Sequence, residues 1–180
     1  MPLATTHILV AIILIELFRE YVIKNNFKFP RYYIFVAVIG GVLPDFDFGV
    51  YYIMYFFGFS ISEIHRTFLH TIFIPIILLL IGLIIYWSGI KIKTIRTRHV
   101  RLDWIFFILA AGALLHLLLD IIFTGCIMPF FPFSNWEFGL NLMNIFPVEW
   151  QGLIMPTLDG VLLILWIAWT VFKIKTDDFF

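Results

Sequence analysis

An all-α membrane bundle of about five helices is the fold class this sequence predicts, and three observations predict it. The chain is 62% hydrophobic and only 13% charged over 180 residues, outside the range of a soluble domain of that length. Its apolar runs have helical length and are separated by short polar stretches. Eleven of the twelve Lys and Arg residues fall in three of those stretches: Arg19, Lys24, Lys28 and Arg31; Lys91, Lys93, Arg96, Arg98 and Arg101; Lys173 and Lys175. By the positive-inside rule these stretches are cytoplasmic, which makes residues 1–180 one multi-pass domain of the cell membrane.

Residues 3–18 form the first span, with His7 near its outer start and Glu16 near its basic end. The N-terminus carries no cationic leader and no small-residue cleavage pattern, so this helix is expected to stay in the mature protein. Residues 32–43 return outward and stop at Gly40-Gly41-Val42-Leu43-Pro44, a helix-breaking sequence. Such a short helix reaches about 18 Å against about 30 Å of hydrocarbon, which would leave Asp45 and Asp47 below the membrane surface. Residues 48–59 are aromatic and too short to cross again, so they read as a re-entrant or interfacial segment shielded by protein or water. Residues 71–90 run inward and residues 102–123 outward. Residues 125–155 form an external loop whose Phe and Trp rings suit the headgroup region, and residues 157–172 run inward to Lys173. There is no repeat, low-complexity tract or second domain.

The formal net charge of zero hides an asymmetry, because Asp45, Asp47, Glu63, Asp120, Glu137, Glu149 and Asp159 lie away from the basic stretches. That distribution argues against nucleic acid as a partner. A single cysteine, Cys126, excludes an internal disulfide and a Cys-x-x-Cys knuckle.

Under this topology His7, Asp45, Asp47, His65, His70, His116 and Asp120 come to one, extracytoplasmic, side. Ionisable groups at membrane depth are expensive, and their convergence points to a site. His116 and Asp120 stand one helical turn apart, where both can hold one ion or the Asp can orient the His; a His–Asp hydrogen bond between packed helices is the plainer alternative. Asp45-Phe46-Asp47 supplies two carboxylates, suited to a ligand and a base, with Asp47 as candidate catalytic base. His65 and His70 are about 140° apart on an ideal helix, so both reach one ion only if His65 precedes the regular helix. Arg66 and His70 would share a face. Arg66, the one cation on this side, could clamp a phosphate or stabilise an oxyanion, or else pair with Glu63 or an Asp. Asp159 would begin the last span on the site's side, where it could join the site or, as an acidic residue at a helix start, suit the helix dipole.

The ordered set Thr6-His7, Leu43-Pro44-Asp45-Phe46-Asp47, His65-Arg66-Thr67-Phe68-Leu69-His70 and His116-Leu117-Leu118-Leu119-Asp120, then Thr124-Gly125, resembles the YdjM-like membrane-bound metal-dependent hydrolases over about residues 1–135. More distantly the order is similar to the zinc-dependent phospholipase C and nuclease group. That likeness implies ligand or base roles for His7, Asp45 or Asp47, His65 or His70, His116 and Asp120, with Asp120 bridging two ions. No His follows His116, unlike that group, so one or two ions is the expectation, zinc first. The expected partners are membrane lipids and a lipid or phosphoester substrate. The rival reading is a metal-ion or proton transporter, or a membrane metal-binding protein without catalysis. A transport path needs ionisable groups running toward the basic side, where only Glu16 and Glu20 are found.

Overall fold

The computed structural model describes residues 4–24, 29–89, 92–93, 99–123 and 125–177; for residues 62–63, 92–93, 99–100 and 174–177 it describes the backbone only. Lys28, Lys91, Arg96, Arg98 and Thr124, and the side chains of Glu63, Lys93 and Lys175, therefore lie outside the described residues. Most of the described chain is helical, the conformation that satisfies backbone polar groups without water.

Helix α1 (Ala4–Leu17) widens into a π-helical turn at Phe18–Ile23, and α2 spans Tyr32–Val42. The regular helix stops beside Pro44 as expected, but the chain does not break there. It tightens into a 3-10 turn at Leu43–Phe46, then continues as α3 (Asp47–Met54) and a second 3-10 turn at Tyr55–Phe57. Pro44 falls in the first turn of that next helical piece, where its missing N–H breaks no bond. The short α4 (Ile61–Ile64) leads through an irregular stretch, residues 65–72, to α5 (Phe73–Ser88). A two-residue ribbon, β1 (Ile92–Lys93) against β2 (His99–Val100), precedes α6 (Leu102–Phe123). A loop with a 3-10 turn at Leu142–Ile145 leads to α7 (Val148–Asp177).

The last helix is longer than its sequence suggests. It begins at Val148, not residue 157, because Pro147 opens it: the Pro147 carbonyl accepts the N–H of Trp150 (2.9 Å) and of Gln151 (3.3 Å), and Pro156 is carried inside the helix. Asp159 consequently lies about three turns in, too deep to serve the N-terminal dipole. By length and composition Tyr32–Phe57, Leu102–Phe123 and Val148–Lys173 can each cross a membrane; α5, at 16 residues, is a shorter apolar helix.

Helix α6 is the axis of the bundle, with α2 and α5 against it, α1 on α2 and α7 on α1. Small residues set the crossings. A Cβ at Gly112 would stand 2.8 Å from the Ala37 carbonyl and from Gly41 N, and one at Gly40 would stand 2.7 Å from the Leu109 carbonyl. The glycines expected to break α2 thus lie within it and let its backbone touch α6. Toward the basic end the core is Ala11, Phe29, Tyr33, Ala37 and Ile108, with Trp104 against it.

Candidate metal centre

The close crossing of α2 and α6 has a chemical consequence at one end of the bundle. His116, on α6, reaches the Gly41 carbonyl of α2, and its Nδ1 donates to that oxygen at 2.7 Å. A carbonyl only accepts, so the ring proton is on Nδ1 and Nε2 presents a lone pair. His70 is fully buried in the irregular stretch before α5, its Nδ1 3.0 Å from Asp47 Oδ2, close to the carboxylate though out of line for a hydrogen bond. The two Nε2 atoms face each other at 3.2 Å.

Two carboxylates complete this set. Asp45 Oδ1 lies 3.7 Å from His70 Nε2 and 3.5 Å from His116 Nε2, while Asp120 Oδ2 lies 3.5 Å and 3.7 Å from the same two atoms. A His70 Nε2–H would donate to the His116 lone pair; with the His70 proton on Nδ1 instead, beside Asp47, two lone pairs meet and repel unless a cation stands between them. A shared proton would join the rings yet leave both carboxylates at or beyond hydrogen-bond reach. The separations, 3.2–3.7 Å, are instead close to the roughly 3.3–3.6 Å between neighbouring ligands 2.0–2.2 Å from one ion. The residues fit a metal ion.

Around these four stand the remaining candidates. His7, in the first turn of α1, stacks on His116 with ring centroids 3.8 Å apart, and its Nε2 lies 3.7 Å from Asp120 Oδ1. Asp120 therefore turns one oxygen to the central set and the other to His7, the arrangement of a carboxylate able to bridge two ions. Asp47, only 2% exposed, accepts from His65 Nδ1 at 3.1 and 3.0 Å on its two oxygens, and from the Arg66 backbone N–H at 2.9 Å. Three triads thus have metal-binding spacing: His7, His116 and Asp120; Asp45, His70 and His116; Asp47, His65 and His70.

His65 and His70 do precede the regular helix, the condition their spacing imposed. Arg66 and His70, however, share no helical face, because Arg66 adopts the left-handed region (φ 65°) and ends the helical path between α4 and α5. The Arg66 guanidinium packs against Gly125, just past α6, and ion-pairs with no described carboxylate. Glu63, its expected partner, has a side chain outside the described residues. Asp159, 7% exposed, accepts from Thr6 Oγ1 at 2.6 Å, which ties α7 to the residue beside His7. Glu137 and Glu149 sit exposed on the loop and the first turn of α7. Two contributions are absent from any motif reading: the Gly41 carbonyl that sets the His116 tautomer, and the Arg66 N–H on Asp47. The first had a sequence signal, the paired glycines, but its partner was not legible.

The pattern described as YdjM inner membrane protein matches residues 1–176. The chain belongs to the YdjM inner membrane protein family. The match runs past the motif-bearing segment to take in α7, so the YdjM family pattern includes the helix that carries Asp159. Membership and three spanning-length helices make this a membrane protein with a His/Asp cluster of metal-binding geometry. No curated protein and no solved structure matches the chain.

Proposed function

We propose that this protein is a membrane-bound, metal-dependent hydrolase whose centre faces the extracytoplasmic side and acts on a lipid or lipid-linked ester. One observation carries the reading: the Nε2 atoms of His70 and His116 stand 3.2 Å apart between two carboxylates. Two imidazole nitrogens and two carboxylate oxygens, with separations of 3.2–3.7 Å, form the donor set of a metal site.

Asp45, His70, His116 and Asp120 would hold the ion, and His7 with the other Asp120 oxygen would hold a second. Two imidazoles and two carboxylates suit zinc first and manganese or iron after it. A divalent ion in that position supplies Lewis acidity, acidifying water and polarising the ester. Asp47, with its oxygens given to His65, His70 and the Arg66 N–H, is best suited to orient His70. Asp45 has an oxygen outside the metal-facing contacts and a side chain 21% exposed, which suits it to take the proton from water. Membership of an inner membrane family supports a substrate that reaches the site from the bilayer. Sidedness rests on the cations: Arg19, Arg101 and Lys173 lie at the far ends of the helices that bring His7, Asp120 and Asp159 to the centre.

Elemental analysis of detergent-purified protein, wild type beside His116→Ala, tests the reading together with an ester and phosphoester panel. The expected result is bound metal and turnover in the wild type, both lost in the variant. A wild type purified without chelator that holds no metal, or one that holds metal and cleaves nothing in the panel, overturns it.

A further inference from the structure

Arg66 combines three features that its neighbours leave unanswered. Its backbone is in the left-handed region at φ 65°, which a residue with a side chain adopts only when its surroundings hold it there. What holds it is the Asp47 carboxylate, accepting its N–H at 2.9 Å. Its guanidinium is pressed against Gly125, where any side chain would displace it, and the Gly125 N–H is bonded to the Asp120 carbonyl at 3.2 Å. Arg66 is therefore fastened between the two elements that supply Asp47 and Asp120. Finally, its Nε and Nη2 are buried and have no hydrogen-bond acceptor among the described residues.

Those two nitrogens are not an arbitrary pair. Nε–H and Nη2–H lie on one edge of the guanidinium and point the same way, the fork that takes two oxygens of one anion. A guanidinium stays charged at any physiological pH, and burying it without an acceptor is strongly unfavourable. That unpartnered edge is suited to an anion with two oxygens. A neutral carboxyl ester has none to offer; a phosphoester has two non-bridging oxygens at the correct spacing.

We infer that Arg66 is the anion-binding residue of the centre and that the ester cleaved there is a phosphoester. The reaction part of this rests on the hydrolase reading; the binding of phosphate by Arg66 does not. In the reaction a water oxygen bonds to phosphorus, and the P–O bond to the alcohol breaks with its electron pair leaving on the alcohol oxygen. One water proton passes to Asp45 and then to that oxygen. Arg66 holds the non-bridging oxygens throughout and is chemically unchanged.

The test uses full-length protein in detergent, loaded with zinc, as wild type, Arg66→Gln and Arg66→Lys. Inorganic phosphate binding is titrated calorimetrically, and metal content and thermal unfolding are measured alongside. Turnover of bis(p-nitrophenyl) phosphate is compared with that of p-nitrophenyl acetate. Arg66→Gln should weaken phosphate binding by about tenfold or more and lower phosphodiester kcat/KM by about 10²-fold, with metal content and melting temperature unchanged. Arg66→Lys should fall between, keeping the charge and losing the fork. Unchanged phosphate binding in Arg66→Gln overturns the inference, as does a variant that loses metal and melts lower, which would make Arg66 a structural residue. Phosphate bound through Arg66 with no ester cleaved upholds the anion site and removes the hydrolase reading. Acetate cleaved in preference, with Arg66→Gln silent, does the reverse.

Discussion

Asp47 is nearly inaccessible, and its two oxygens already receive His65 Nδ1 and the Arg66 N–H while one lies 3.0 Å from His70 Nδ1. The sequence favoured it as a catalytic base; its contacts favour a residue that aims His70. The two roles separate on substitution. Asp47→Asn keeps the shape but weakens the acceptor, and should reduce metal affinity by about 10–100-fold in a chelator competition. Asp120→Ala, which removes oxygens 3.5–3.7 Å from His70, His116 and His7, should abolish binding and turnover together, because too few ligands then remain to compete with water. An Asp47→Asn protein with unchanged affinity and lost turnover would return Asp47 to the base role. Thr6 makes a second residue-level test. Thr6→Val would leave Asp159 buried without its 2.6 Å donor, and should lower unfolding stability in detergent by about 1–3 kcal/mol. No change in the melting curve would show that water replaces the hydroxyl.

Helix α6 was legible in the sequence to the residue, since an unbroken apolar run of spanning length begins just after Arg101. Helix α7 was not, because Pro156 reads as a stop and only the opening turn at Pro147 shows that the helix is already under way. The paired glycines of α2 were read as a break for the same reason: local propensity disfavours glycine in a helix, and only the partner helix reveals why it is there. Gly112 tests this. Gly112→Val places atoms where the α2 backbone lies, and should destabilise the fold by about 1–3 kcal/mol or more while weakening metal binding, since the Gly41 carbonyl moves off His116. Gly49→Ala, with nothing within 4 Å of the new methyl, is the control. Denaturant titration of both in detergent decides it; equal stability would mean that the crossing tolerates a larger spacing.

At the scale of the molecule, α1 and α7 are joined at three levels: Thr6 to Asp159, Trp166 Nε1 to Glu16 at 3.0 Å, and Lys173 to Glu20. The carboxylates that would extend an ion path toward the basic side, Glu16 and Glu20, are thus engaged with α7. Orientation is tested by single-cysteine labelling in a Cys126→Ser background. Asn135→Cys should react with an impermeant reagent in intact cells and Arg96→Cys should not. The opposite pattern would place the centre in the cytoplasm. Protein in liposomes should carry no metal flux; measured flux with no ester hydrolysis would favour the transporter.

The sequence by itself determined that this chain lies in a membrane as a helical bundle, because hydrocarbon admits so few backbone solutions that composition and run length are enough. It also determined which ionisable residues share one end, because helix direction follows from span order. What only the tertiary structure decided is the relation among those residues. The central set joins Asp45, His70, His116 and Asp120, Asp47 is turned toward histidine nitrogens, and two buried guanidinium nitrogens of Arg66 are left without an acceptor among the described residues. Those relations depend on how closely α2 approaches α6 and on an irregular stretch at residues 65–72, and both are set by contacts between segments far apart in the chain.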